Sequence, residues 1–331
     1  MAPATLQGTD IEASCSTGLA LGPVLGALGL DGRRPYKAMT FTRLAAGMCA
    51  DIDAWEAELV RLRSLHAGQG STTRDQLIIE QRIHAEAAER YYAAWSLLDL
   101  AFPDQKLGED CPRLSTRRHE DLLLLLGLTS GALAMVHDRA AEGAVGVPTD
   151  LPRKVERAAA CLDDDEFWGV PGALRASVWA LVPGAAPEGV DPWSVLSEAA
   201  AKGEADRVRL GRALQIQALA TVGETEQLKQ AIRDHAAALD DAEPDPSWAL
   251  LDSFGTALIR HESDKLWMSS VGHRTPLGAL GTFADDPSPA DALDPALDGI
   301  LDSILGSEPT DAPDKTPESS SDEVPDTESN E

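Results

Sequence analysis

An apolar heptad repeat is the feature that most constrains the fold of this 331-residue chain. Its members recur at alternating steps of four and three residues: Phe41, Ala45, Met48, Ile52, Trp55, Leu59 and Leu62. This spacing predicts a long helix with a continuous apolar seam. After a glycine-containing turn a second apolar stripe follows: Ile83, Ala87, Tyr91, Ala94, Leu98 and Ala101. Together the two stripes predict a long antiparallel helical hairpin.

The remaining patterns are also helical, so the predicted fold class is all-α. Residues Leu122 to Val136 are apolar around the whole helix circumference and predict a central buried helix packed on the hairpin. Further along, Asp-Pro pairs at Asp191 and Asp245 are typical of helix starts. They predict shorter paired helices, arranged in a repeat-like way.

Composition divides the chain into four segments. Residues 1–37 predict a flexible Gly/Ala-rich arm, although Gly18, Gly22 and Gly26 have the spacing of a close helix-packing stripe. Residues 38–145 hold the hairpin and the central apolar helix, and residues 146–270 hold the shorter helical pairs. Residues 271–331 predict an acidic disordered tail with a short amphipathic helix near 292–305.

The net charge of −27 disfavours a nucleic-acid partner, because acidic side chains repel phosphates. Residues 284–331 contain 15 acids and one base, which is −14, so the rest of the chain carries −13. No apolar run reaches the roughly 20 residues of a membrane-spanning helix, so no membrane span is expected.

The cysteines and the N-terminal residues together predict a cytoplasmic protein with reduced thiols. Cys15, Cys49, Cys111 and Cys161 lie far apart and form no CxxC motif, so neither a zinc site nor a disulfide framework is expected. No basic residue precedes the apolar segment from Gly18 to Leu30, and a secretory signal peptide is therefore not expected.

A dense acidic cluster, Asp163, Asp164, Asp165 and Glu166, is the candidate metal site. It resembles the metal-binding motif of class I terpenoid synthases, and that resemblance implies Mg²⁺ ions that hold a diphosphate. Such a site also needs a second ligand cluster, but Asp252, Ser253 and Glu262 do not have its spacing. The other interpretation is a polar joint between two helices, with a capping aspartate.

Other catalytic or cofactor motifs are missing from the sequence. None of the seven histidines belongs to an HExxH or Glu-x-x-His motif, and no Walker loop or Gly-x-Ser-x-Gly elbow occurs. Glu80 and His84 predict a pair on a helix surface, and the other histidines predict caps or surface residues. No cofactor is therefore expected, and an enzyme is the less favoured class.

The tail carries the predicted partner-binding residues. Six apolar side chains recur on one face of a short helix: Leu293, Leu297, Ile300, Leu301, Ile304 and Leu305. Acidic flanks suit a protein partner with a basic groove. The sequence thus favours a noncatalytic adaptor, scaffold or regulator, and the heptad seam adds the expectation of a homodimer. The alternative is a helical-bundle enzyme with Mg²⁺ at residues 163–166.

Overall fold

The computed structural model describes residues 6–27, 35–103, 106–114 and 119–287, and this part of the chain is all-α, as predicted. It contains ten helices and no strand. The helices are α1 (Ile11–Ala27), α2 (Tyr36–His66), α3 (Gly70–Ala101), α4 (His119–Ala140), α5 (Leu151–Ala159), α6 (Val170–Leu181), α7 (Pro192–Ala205), α8 (Leu210–Val222), α9 (Thr225–Asp241) and α10 (Ala249–Val271). All of them belong to one compact unit, Met1–Ala284.

Helices α2 and α3 form the predicted hairpin, but the face of α2 that meets α3 is not the apolar seam. A Cβ atom on Gly47 would lie 2.4 Å from the Tyr91 ring, so the two helices approach closely at this glycine. Nearby, the Tyr91 hydroxyl donates a hydrogen bond to Asp51. Small and polar side chains therefore line this part of the hairpin interface.

The apolar seam of α2 faces other helices. The Trp55 ring lies 5.7 Å from the Phe254 ring and stacks on His261 of α10 at 5.4 Å. Towards the start of α2, the seam residue Met48 shares a cleft with Leu250 of α10 and with side chains of α1. The expectation of a homodimer came from a seam longer than the hairpin partner requires; Met48 and Trp55 of this seam contact α1 and α10, and the homodimer stays a prediction.

The prediction of a flexible arm over residues 1–37 is wrong for helix α1, which packs on α2. Cys15, Gly18 and Gly22 are buried on this helix. A Cβ atom on Gly18 would lie 2.6 Å from the Thr42 carbonyl oxygen and 2.7 Å from the Ala46 amide nitrogen. The alternative interpretation, a helix that packs closely through its glycines, thus describes α1 at Gly18.

Helix α4 is the predicted buried helix. Leu124, Leu125 and Leu128 are fully buried in it. A Cβ atom on Gly127 would meet the Leu98 side chain at 2.5 Å, so α4 lies close to α3. The stretch Glu120–Ala140 is long and apolar enough to cross a membrane, yet 61% of its most apolar window is buried inside the fold.

The shorter helices pack in pairs, and two aspartates that precede them, Asp191 and Asp150, behave differently. The Asp191 carboxylate accepts a hydrogen bond from the Trp193 amide at 3.1 Å and caps α7, as predicted. The Asp150 side chain makes no capping hydrogen bond at α5. It lies 3.0 Å from Lys154 instead, because a lysine one turn later on α5 offers a charged partner.

Two disulfide bonds correct the expectation of four reduced thiols. Cys15 of α1 bonds to Cys49 of α2, with 5.3 Å between their Cα atoms, and Cys111 bonds to Cys161 with 5.4 Å. The pairs are 34 and 50 residues apart in sequence, so short-range cysteine spacing could not indicate them. The cytoplasmic location stays a prediction, without its premise of reduced thiols.

Candidate functional site

The acidic cluster at residues 163–166 lies in the joint between α5 and α6, and its carboxylates bind neighbouring groups of the chain. Asp163 Oδ1 accepts hydrogen bonds from the amides of Asp165 (2.7 Å) and Glu166 (3.1 Å). Asp164 Oδ1 accepts one from the Gly172 amide at 2.6 Å. Asp165 forms an ion pair with Lys202. In the described ranges no three His, Cys, Asp or Glu side chains gather in a way that could hold a metal ion.

The aromatic pair that follows this cluster is part of the core. Phe167 and Trp168 are buried, and the Trp168 ring packs edge-on against Trp248, with centroids 4.8 Å apart. The backbone turns into α6 through Trp168 (φ 53°) and Gly169 (φ 77°). The stretch thus joins two helices around an aromatic anchor.

A buried polar network joins α2, α3 and α4. Asp51 Oδ1 contacts His137 Nε2, while Asp51 Oδ2 accepts the Tyr91 hydroxyl. His137 Nδ1 lies 2.9 Å from His84 Nδ1. All four side chains are buried, which corrects the prediction that these histidines are caps or surface residues.

Burial sets the protonation of this network. Loss of solvation, followed by the charge of His137, lowers the pKa of His84 to about 4. Burial and the neighbouring Asp51 carboxylate raise the pKa of Tyr91 well above its ordinary value. Near neutral pH the network thus holds a neutral His84 and a protonated Tyr91, which keeps the tyrosine hydroxyl able to donate to Asp51.

A second network connects α2, α3 and α10 through Glu58. One Glu58 oxygen lies 2.9 Å from His261 Nε2, and the other lies 3.4 Å from Lys265 Nζ. Burial raises the pKa of Glu58, but the hydrogen bond from His261 and the charge of Lys265 outweigh it and hold the pKa at about 2. Arg61 in turn pairs with Glu80, which is buried rather than on the helix surface as predicted.

The turn between α2 and α3 presents a different chemistry, an exposed apolar surface. Residues 65–72 are all exposed, and so are 77–79. Five large apolar side chains here are 37% to 58% exposed: Val60, Leu65, Leu77, Ile78 and Ile79. The C-terminal end of α4 meets α3 at Gln81, whose amide donates to Glu142 at 2.8 Å. We call residues 60–82 the hairpin tip.

The hairpin tip is basic in an acidic chain. It contains four arginines and two acids, a local charge of +2, whereas the whole chain carries −27. Arg74, Ile78 and Arg82 follow one another at intervals of four along an exposed face of α3. Within the described ranges, Arg74 and Arg82 form no hydrogen bond or ion pair through their side chains. They remain able to pair with an acidic group of another molecule.

Sequence reasoning missed this surface. The run Leu77–Ile79 lies before the predicted apolar stripe of α3, which begins at Ile83, and the structure leaves it exposed. The predicted partner-binding residues, Leu293, Leu297, Ile300, Leu301, Ile304 and Leu305, lie outside the described residues.

Comparisons with protein-family models, with curated proteins and with solved structures found no match to this chain.

Proposed function

We propose that this chain is a noncatalytic protein–protein interaction protein, an adaptor, scaffold or regulator, whose hairpin tip binds a partner. The observation that carries the proposal is the exposed stripe Arg74–Ile78–Arg82 with the exposed Leu77 next to it in sequence. Monomeric surfaces seldom expose several large apolar side chains together, and such patches mark interaction sites.

The partner is a protein segment with an acidic, amphipathic helix. Its apolar anchors would cover Leu77 and Ile78, in the helix-on-surface mode of peptide recognition. Its acids would pair with Arg74 and Arg82, which can bind carboxylates in two-pronged fashion. Because these charges lie at the surface, they contribute mainly to the association rate, and binding weakens as salt rises.

The geometry of the polar residues supports the noncatalytic assignment over the Mg²⁺-dependent alternative. Asp163 and Asp164 accept backbone amides, and Asp165 pairs with Lys202. The carboxylates of Asp51 and Glu58 each pair with a histidine of the chain, His137 and His261. The predicted tail helix and its basic-grooved partner remain a separate proposal, for which Leu297→Asp with Leu301→Asp should abolish binding and leave the melting temperature of the body unchanged.

A defined peptide pair tests the hairpin tip. The first peptide is a designed helix with a leucine stripe flanked by glutamates, and the second replaces the glutamates with lysines. Fluorescence anisotropy with the full chain should show binding of the glutamate peptide alone. Arg74→Glu with Arg82→Glu should weaken it about tenfold or more, while Ile78→Asp should remove the apolar anchor.

Arg260→Glu is the matched control, because Arg260 is an exposed arginine on α10 that does not belong to the hairpin tip. It should leave the affinity for the peptide unchanged. Equal binding of both peptides, or equal losses for the tip and control variants, would overturn the proposal. In native cells, a photo-crosslinker at Ile78 should capture a different protein; capture of a second copy of this chain would make the tip a homodimer surface instead.

A further inference from the structure

A second, independent feature is an apolar cleft between α4, α5, α6 and α8, which we call the α4–α8 cleft. Its volume is about 440 Å³. Buried side chains of three helices form its lining, Val155, Leu174 and Ala218, and Leu133 and Leu181 line it as well. This size and lining are typical of pockets for small molecules, which are mostly apolar with few polar groups.

The polar groups of the cleft divide into two kinds. The hydroxyls of Thr129, Ser177 and Thr221 donate to carbonyl oxygens of their own helices, at 3.0 Å from Leu125, 2.8 Å from Ala173 and 2.7 Å from Gln217. Arg139 and Gln217 also line the cleft, and their side chains form no hydrogen bond or ion pair with any residue in the described ranges. The donors available to a ligand are therefore a guanidinium and an amide.

We propose that the α4–α8 cleft binds a small apolar molecule that carries a carboxylate, of the free fatty acid class. The alkyl chain would lie against Leu133, Leu174 and Leu181, where it leaves water. The carboxylate would face Arg139, because a guanidinium presents two parallel N–H donors to a carboxylate. This binding is independent of the hairpin tip, because the tip is formed by α2 and α3 and the cleft by α4, α5, α6 and α8.

The charge complementarity decides between ligand classes. A neutral alkane would fill the cleft but offer Arg139 no acceptor, and an alcohol would accept a hydrogen bond from Arg139 without matching its charge. A cationic amphiphile would bring like charges together. A molecule with an alkyl chain and a carboxylate matches both the apolar lining and the guanidinium, and the Gln217 amide can donate a further hydrogen bond to the carboxylate.

Isothermal titration of the full chain with decanoate and with decanol tests the proposal. Decanoate should bind more tightly than decanol. Arg139→Gln should weaken decanoate binding about tenfold and leave decanol binding unchanged, since it removes a charge-assisted interaction alone. Ala132→Trp, at a half-buried lining position, should block both ligands.

Arg260→Gln serves as the control for loss of an exposed arginine, and it should bind both ligands like the unmodified chain. A melting temperature for each variant separates binding from folding, because Arg139 lies in the last turn of α4 and can also stabilise that helix end. Equal affinities for decanoate and decanol, or decanoate binding that survives Ala132→Trp in a folded chain, would overturn the proposal.

Discussion

At the residue scale, the neutral His84 side chain couples folding to pH. His84 lies beside His137, and the charges of Glu58, Asp51 and His261 also act on it. Its folded-state pKa of about 4 is below the ordinary value of 6.5. Between pH 4 and pH 6.5 the unfolded chain therefore binds more protons at this residue than the folded chain does. The contribution of His84 to the free energy of unfolding is thus complete above pH 6.5 and is lost as the pH falls towards 4. Burial likewise lowers the pKa of His235 to about 3, which extends the acid-sensitive range.

Between pH 6.5 and pH 4 we expect the protonation of His84 to lower the free energy of unfolding by up to about 3 kcal/mol. Urea titrations at several pH values measure it. His84→Gln cannot take up the proton, so its stability should change less over this range. The exposed His66 provides the control: His66→Gln should keep the full pH dependence. A His84→Gln chain with an unchanged pH dependence would contradict the assignment.

At the scale of the helix, α2 shows why an apolar pattern does not identify its own partner. The seam through Met48 and Trp55 is real, but it faces α1 and α10. The neighbouring face, with Gly47 and Asp51, meets α3. A small residue lets two helices approach closely, and a buried polar pair matches one specific neighbour. Neither feature gives a periodic apolar signal.

The glycine stripe of α1 allows a matched pair of substitutions. Gly18→Ala should destabilise the chain by about 1–3 kcal/mol, because the added methyl would meet backbone atoms of α2 at 2.6 and 2.7 Å. Gly26→Ala should be neutral or slightly stabilising, because its nearest neighbour would be the Met39 Cε methyl at 3.9 Å and alanine favours the helix. Thermal melts under oxidising conditions compare the two. Equal melting temperatures would show that α1 does not pack as described.

At the scale of the whole molecule, the two disulfides constrain long stretches of chain. They join residues 34 and 50 positions apart, and loop-closure entropy assigns each a stabilisation of about 4 kcal/mol. Structural disulfides persist mainly in oxidising compartments. The predicted cytoplasmic location, which was inferred from reduced thiols, loses that support and stays a prediction.

Mass spectrometry after alkylation tests the pairing directly. The denatured, unreduced chain should take up no alkyl group, and the reduced chain should take up four, one for each cysteine. A reductant should lower the melting temperature. In the double variant Cys15→Ser with Cys49→Ser, the reductant should still lower it, but only by the part of the shift that comes from the Cys111–Cys161 bond. Four alkylated cysteines without reduction would show that the thiols are free.

The sequence by itself determined the helical class, the α2–α3 hairpin and the buried character of α4, because helix formation depends on local periodicity and turn residues. Only the tertiary structure decided the partners of each helix face, the cysteine pairing and the burial of His84, His137 and His261. The hairpin tip and the α4–α8 cleft belong to this second group. All of these features have the same physical reason. The exposure of a surface and the close approach of two helices depend on where helices distant in sequence end and cross, and the pattern of apolar residues along the chain does not contain this information.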